Sequence, residues 1–423
     1  MDVSELGIIK VDEAPPPLEL SSEEIAALAD ELVEYHAAFA DLYYRKEQAH
    51  WGLKYLQGLM LPIERKSIEP MALALDGGDV QAMQQFIGQG QWQDDALLHQ
   101  HWRLVDATLG EADGVYIVDG SDVPKQGEHS VGVARQWCGH VGKVDNCQAG
   151  VFAAYASRKG YTLLDRRLYL PEAWFDAAHR ERWRKCGIPE ATRFTTKQAL
   201  ALEMLPAVVA AGTLRFRWVT CDEAFGRHPA FLDGVAAQQR WYYAEVPHDT
   251  QVWRARPALA VPAWAGRGRR PRQARVVPGA LAPQRVDQLA TVVPTDGWQP
   301  YLIKEGSKGP VVAEFACHRG VAVRAGLPGP DVWIVFRRAL GEPPELKSYL
   351  SNAPAHTPIA ALVRLAGMRW PIETAFEESK GGLGLDHYEV RSWLGWHHHM
   401  TLCLLAHHFL VRARLRVKKG HQP

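Results

Sequence analysis

The chain is poor in cysteine, and none of its cysteines is paired at metal-binding spacing. The six, Cys138, Cys147, Cys186, Cys221, Cys317 and Cys403, lie far apart with no CxxC among them. That excludes a zinc ribbon or a disulfide framework and leaves reduced, structural thiols. No apolar run approaches the roughly 18 residues of a membrane span. The first residues, MDVSELGIIKVDEAPPP, are acidic where a signal peptide needs a basic region and an apolar core. A cytoplasmic protein with no membrane partner is expected. There is no internal repeat, and net charge is absent too: 48 Lys and Arg balance 48 Asp and Glu. Taken alone, that balance counts against a polyanionic partner.

What is present changes that view. With 423 residues, 47% hydrophobic and 23% charged, the chain is long enough for two or three domains with a large core. The charge is segregated. Residues 1–35 hold ten acids against Lys10 alone, whereas residues 251–286 hold eight arginines, among them Arg267, Arg269 and Arg270, and no acid. The stretch RARLRVKKGH near the end is basic as well. Such segregation suggests positive surfaces able to follow a phosphate backbone. An exposed Arg/Pro-rich loop with no partner is the competing reading of 251–286.

Periodicity divides the chain. The segment from Ser21 to Met60 spaces apolar residues at three and four behind candidate caps Ser21 and Ser22, and a second helical block follows the Gly77–Gly78 break. From Val115 the texture turns to β: VYIVD, NCQAGVFAAYAS and YTLLDRRLYLP. A helix over 197–211, a strand in RFRWVTCD, a helix in PAFLDGVAAQQ and a strand in RWYYAEVP come next. Three strands followed by alternating helix and strand predict an α/β fold with a mixed sheet. Prolines and glycines between about 248 and 300 forbid long elements, strands return up to about 352, and helices are expected over 358–383 and 393–416.

Three carboxylates stand at the ends of core elements: Asp119 closing VYIVD, Asp222 closing FRWVTCD, and Glu373 in RWPIETAFEESK. Val115, Ile117 and Asp119 share a strand face, so the spacing places Asp119 at the strand's C-terminal edge. Asp122, in the turn-like GSDVPKQG, competes with it from a less rigid position. For any single strand-end Asp, a turn or helix-cap role is the alternative. Arg369, Glu373, Glu377 and Lys380 line one side of a helix, either as a working face or as a solvated salt-bridge ladder. Pro371 suits only a first turn or a kink, so Arg369 is expected just before that helix. Trp393 and Trp396 can stack on a base or pack in the core. The histidines His397, His398, His399, His407 and His408 invite a zinc reading that their spacing around a helix disfavours. Lys125, Arg135 and Gln136 are phosphate-contact candidates, with a plain surface role as the alternative.

Arg369, three residues, Glu373, six residues and Lys380 resemble the second part of the Tyr-Arg-Glu-Lys signature of bacterial insertion-sequence transposases of the DDE type. The blocks VDGSDVPKQGEHSVGVARQWCGHVGKVDNCQAGV, GYTLLDRRLYLPEAW, VTCDEAFG and GLGLDHYEVRSWLGWHHHMTLCLLAHHFL resemble the signature blocks of one branch of that group, in its order, over roughly residues 45–415. The signature Tyr is replaced by Ala366, and Gly120 stands where relatives often carry a second acid.

The resemblance implies an RNase H-like mixed sheet flanked by helices, with Asp119, Asp222 and Glu373 as catalytic and metal-holding residues. It implies Mg²⁺, with Mn²⁺ as a substitute, and double-stranded DNA as partner: the element's terminal inverted repeats and target DNA, met by a homodimer. Arg369, Lys380, Lys125, Arg135, Gln136, Trp393, Arg267, Arg269 and Arg270 become DNA-contact candidates. The expected layout is an acidic head (1–20), a helical DNA-binding domain (21–110), the first part of the catalytic core (111–247), a β-rich basic insertion (248–345), the last part of the core (346–416) and a basic tail (417–423). A silent DNA-binding descendant of the fold, or a phosphoesterase acting on small substrates, are the rival functions.

Overall fold

The computed structural model describes residues 22–264, 266–306, 309–340 and 345–420. The acidic head and the last three residues lie outside them. In chain order, helices α1 (Ser22–Ala40), α2 (Lys46–Met60), α3 (Ile68–Ala74), α4 (Val80–Gly88) and α5 (Asp94–Leu109) precede strands β1 (Val115–Pro124), β2 (Ala134–Cys138), β3 (Lys143–Ser157) and β4 (Gly160–Tyr169). Then come α6 (Arg180–Cys186), α7 (Lys197–Ala211), β5 (Trp218–Cys221), α8 (Glu223–Gly226), α9 (Pro229–Ala237), β6 (Trp241–Val246) and β7 (Gln251–Trp253). The short pairs β8 (Leu259–Ala260) and β9 (Arg275–Val276) lead to β10 (Gln284–Arg285) and α10 (Val286–Thr291). Strands β11 (Gln299–Gly306), β12 (Gly309–Arg324), β13 (Leu327–Ala339) and β14 (Leu346–Ser351) are followed by α11 (Ile359–Gly367), α12 (Trp370–Leu383) and α13 (Trp393–Gly420). The chain forms two compact units, one of residues 16–217 with 370–423, the other built around 218–369.

In the first unit β3 is central. One edge pairs antiparallel with β1 from Val115↔Ala156 to Pro124↔Cys147. The other edge is shared by β4, from Ala149↔Tyr169 to Ser157↔Gly160, and by β2, from Ala134↔Cys147 to Cys138↔Lys143. From Cys147 onward every residue of β3 is buried, which explains its Ala-, Val- and Phe-rich run in place of an alternating one. Helices α5, α7, α12 and α13 pack on these strands.

Helix α13 is buried nearly all round, with Trp396, Met400 and Leu402 to Ala406 inside. Its histidines each have fold partners. His398 bonds the carbonyls of Ile87 and Trp92, and His399 meets Tyr55 and the Leu385 carbonyl. His407 meets Thr162 and Glu378; His408 meets Tyr35 and Thr108. They stitch α13 to its neighbours.

In the second unit β5 and β6 run parallel, Trp218↔Trp241 to Cys221↔Ala244, joined through α8 and α9. The remaining pairs are antiparallel, in the order β10–β7–β12–β13–β14–β6, with β11 also on β12. The arginine-rich stretch carries only the two-residue pair β8–β9, Leu259↔Val276 and Ala260↔Arg275, as its prolines and glycines require.

Three local expectations need correction. The first helical block breaks between Ala40 and Lys46. The segment after Asp119 is no turn: β1 continues to Pro124 because β3 supplies partners for Gly120 through Pro124. Asp119 is therefore mid-strand, and Asp122 is a strand residue as rigidly placed. In RFRWVTCD only Trp218–Cys221 is strand. Helical sequence from 358 to 383 divides into α11 and α12, with Arg369 in the break and Pro371 in the first turn of α12, as proline's missing N–H demands.

Candidate active site

Within the first unit, Asp119 stands directly across from Phe152, and directly opposed residues of an antiparallel pair project to the same face. Phe376 of α12 meets Phe152 edge-on at 5.3 Å between ring centres. Glu373 lies three residues before Phe376, hence on the same side of the helix one turn back. Farther along, Lys380 Nζ donates to the Asp122 carbonyl at 3.4 Å. Helix α12 thus runs beside β1, and the Glu373 turn belongs to the layer that Asp119 faces. Both carboxylates are half-buried. The Gly120 amide donates to Asp119 Oδ1 at 2.7 Å, which orients the carboxylate at the strand. Burial holds the Lys380 ammonium below the usual lysine range, against the pull of Asp386 and Asp122.

Within the second unit, Asp222 follows β5 and caps α8, accepting from the Phe225 amide at 3.3 Å. Burial raises its carboxyl above the usual aspartate range; Arg369 and the capping amides oppose this, and Glu245 adds to it. Glu245 is ion-paired with Lys347 at 3.0 Å and lies 3.8 Å from Arg369 Nε. Arg369 therefore stands between two carboxylates of its own unit. The structure shows Asp222 in the cap role that the sequence left as its alternative.

The other predicted contacts divide by exposure. Arg267, Arg269, Arg270 and Arg135 are exposed, and Arg270 lies over the Trp264 ring. Lys125 is mostly enclosed: Nζ donates to the Tyr388 carbonyl at 3.0 Å and sits 3.5 Å from that ring's centre. Burial pushes it down to about 8 against Asp386 and Glu389. Gln136 Nε2 donates to the Cys147 carbonyl. Trp393 opens α13, half-buried, with its ring 4.4 Å from that of His397. Both line a cavity of about 590 Å³ with Arg166 and Arg167. Trp396 is core. Sequence reasoning missed Trp137, an exposed tryptophan beside Arg135 and Gln136; the motif around it was the available signal. It also missed Glu245, which carried none.

Among the described residues no group of three or more His, Cys, Asp or Glu side chains stands close enough to hold a metal ion. The donor chemistry nevertheless suits a hard cation. Asp119, Asp222 and Glu373 offer only oxygen, the ligand of Mg²⁺ and Mn²⁺, and the energetic cost of ionising buried Asp222 is one that a divalent cation offsets. Among the described residues no helix is long and apolar enough to cross a membrane.

A family model described as DDE superfamily endonuclease matches residues 35–310, well over half of the chain. Asp119 and Asp222 lie inside the matched segment; Arg369, Glu373 and Lys380 follow it. A search of curated proteins returned no match.

Proposed function

Because the chain belongs to the DDE superfamily of endonucleases, whose members act on DNA with divalent metal ions, we propose that it is a DNA transposase of an insertion sequence. It binds the element's terminal inverted repeats, hydrolyses the strand at each end, and joins the freed 3′-hydroxyls to target DNA. The family match carries this reading, supported by the layer that Asp119 and the Glu373 turn share.

In this reading Asp119, Asp222 and Glu373 would hold Mg²⁺ or Mn²⁺. When bound, the metal would activate the attacking oxygen and stabilise the leaving one in an in-line displacement at phosphorus. In the first step a water oxygen bonds to phosphorus and the 3′ oxygen leaves as a hydroxyl. In the second, that 3′-hydroxyl gives up its proton and bonds to a target phosphorus, and the target strand's own 3′ oxygen leaves as a hydroxyl. Arg369 and Lys380 bind phosphate oxygens, the arginine by a planar fork and the lysine as a point charge. The enclosure of Lys380 strengthens each charge contact by lowering the local dielectric. The exposed arginines of 251–286 follow the duplex backbone, and a homodimer synchronises the two ends.

The test is to incubate purified protein and Mg²⁺ with DNA carrying the sequence that flanks its own gene. Nicked and joined products, absent with EDTA and absent with Asp119→Ala, support the reading. A small-ester phosphoesterase would turn over without regard to salt, whereas duplex binding weakens steeply from low to physiological salt.

A further inference from the structure

The ladder between β1 and β3 ends at Pro124↔Cys147, while β3 continues outward and pairs with β2 alone down to Cys138↔Lys143. Residues 134–146 are therefore a two-stranded ribbon beyond the sheet edge. On its outer face Trp137 stands directly opposite Val144, and these apolar side chains are 62% and 53% exposed. Arg135 shares their face by the period of two and is exposed; Val141 and His140 are exposed at the turn. An aromatic and two valines on an edge ribbon invite unwanted association, yet this ribbon is firmly built. Asn146 donates to the carbonyls of Lys125 and Gly127 at 2.6 and 2.8 Å. The Gly142 amide closes the turn on the Cys138 carbonyl.

We propose that the Arg135–Trp137–Val144 face of this ribbon is a docking surface for duplex DNA, with Trp137 as a positioning residue. A two-stranded ribbon has the width of the major groove, and β-ribbons enter DNA grooves in this way. Trp137 and Val144 supply apolar contact to base edges or a wedge at a flexible step. Charge selects DNA over a second copy: Arg135 shares the face of the patch and no acid does, while the ribbon's one carboxylate, Asp145, projects to the opposite face by the period of two, where Lys143 engages it at 3.3 Å. The ribbon grows from the strand pair that carries Asp119, so a duplex held on it is held next to that carboxylate's strand.

The inference rests on the proposed action on DNA, and one experiment tells the two apart. Full-length wild type, Trp137→Ala, Trp137→Phe and Arg135→Ala are titrated with a 30-base-pair mixed-sequence duplex at several salt concentrations, with sedimentation and thermal melting alongside. Trp137→Ala is expected to weaken binding about fivefold or more with an unchanged salt slope and unchanged melting, and Trp137→Phe to retain most of the affinity. Arg135→Ala is expected to flatten the salt slope by about one. Wild-type affinity for Trp137→Ala overturns the ribbon proposal alone. Loss of self-association in Trp137→Ala, with binding intact, assigns the patch to a second copy and overturns it too. If the wild type fails to bind the duplex at low salt, both readings fall.

Discussion

The Asp122 carboxylate accepts a hydrogen bond from the Gly139 amide at 2.9 Å, across seventeen residues. That contact ties the turn of the β2–β3 ribbon to the strand that carries Asp119, and Lys197 adds charge to it from 3.7 Å. Asp122→Ala is predicted to cost about 1 to 2 kcal/mol of stability and to speed amide hydrogen exchange over 139–144 more than over β1. Uniform exchange across both segments would show that the carboxylate does not anchor the turn.

Asp222→Asn separates capping from charge. Asparagine caps as well as aspartate, so the variant loses only the ionisable group that burial disfavours. The folded pKa is raised above the unfolded one, so ionisation opposes folding at neutral pH. Without divalent metal the variant is predicted to melt a few degrees above the wild type at pH 7. The gap should close as pH falls through the raised value and vanish below the ordinary 3.8. Saturating Mg²⁺ should raise the melting temperature of the wild type and not that of the variant.

Lys125 has the opposite sign. Its folded pKa, about 8, lies below the ordinary 10.5, so between those values the unfolded chain holds a proton that the folded protein has released. Wild type is predicted to gain stability relative to Lys125→Met as pH rises from 8 toward 10.5. Urea denaturation of both proteins at pH 7.5 and 9.5 measures this; a constant difference would contradict it.

Helix α12 is held to α13 through Glu378, whose carboxylate meets His407 at 3.1 Å and Arg414 at 2.6 Å. Burial alone would raise this carboxyl, but the bond and charge of His407, together with Arg414, hold it down at about 2. Glu378→Gln is predicted to cost about 2 kcal/mol at neutral pH. The folded pKa is depressed, so this stabilisation is complete above the ordinary 4.5 and lost as pH falls toward 2. Thermal melts of both proteins between pH 3 and 7 read the difference. Because the same helix carries Glu373, strand cleavage should fall in parallel.

Much of this was legible in the residues. The β-rich runs after Val115 and Trp241 became strands, and the position of Arg369 outside α12 followed from the missing N–H of Pro371. Gly120 and Ser121 misled: they look like a turn, and only the length of β3, which pairs with them, makes them strand. The consecutive histidines of α13 could not be assigned in advance, because each finds a partner in a different distant element. Trp137 was hidden for a related reason. A tryptophan in a β-forming run is normally packed, and its exposure depends on where β1 stops pairing.

The central claim is that Asp119, Asp222 and Glu373 hold divalent metal together. Replacing Mg²⁺ with Fe²⁺ and generating hydroxyl radicals at the bound ion cuts the backbone beside its ligands. The account predicts peptide cuts next to residues 119, 222 and 373 at one Fe²⁺ concentration, all suppressed together by excess Mg²⁺. Cuts confined to the neighbourhood of one of the three, or cuts that Mg²⁺ does not compete away, would contradict it.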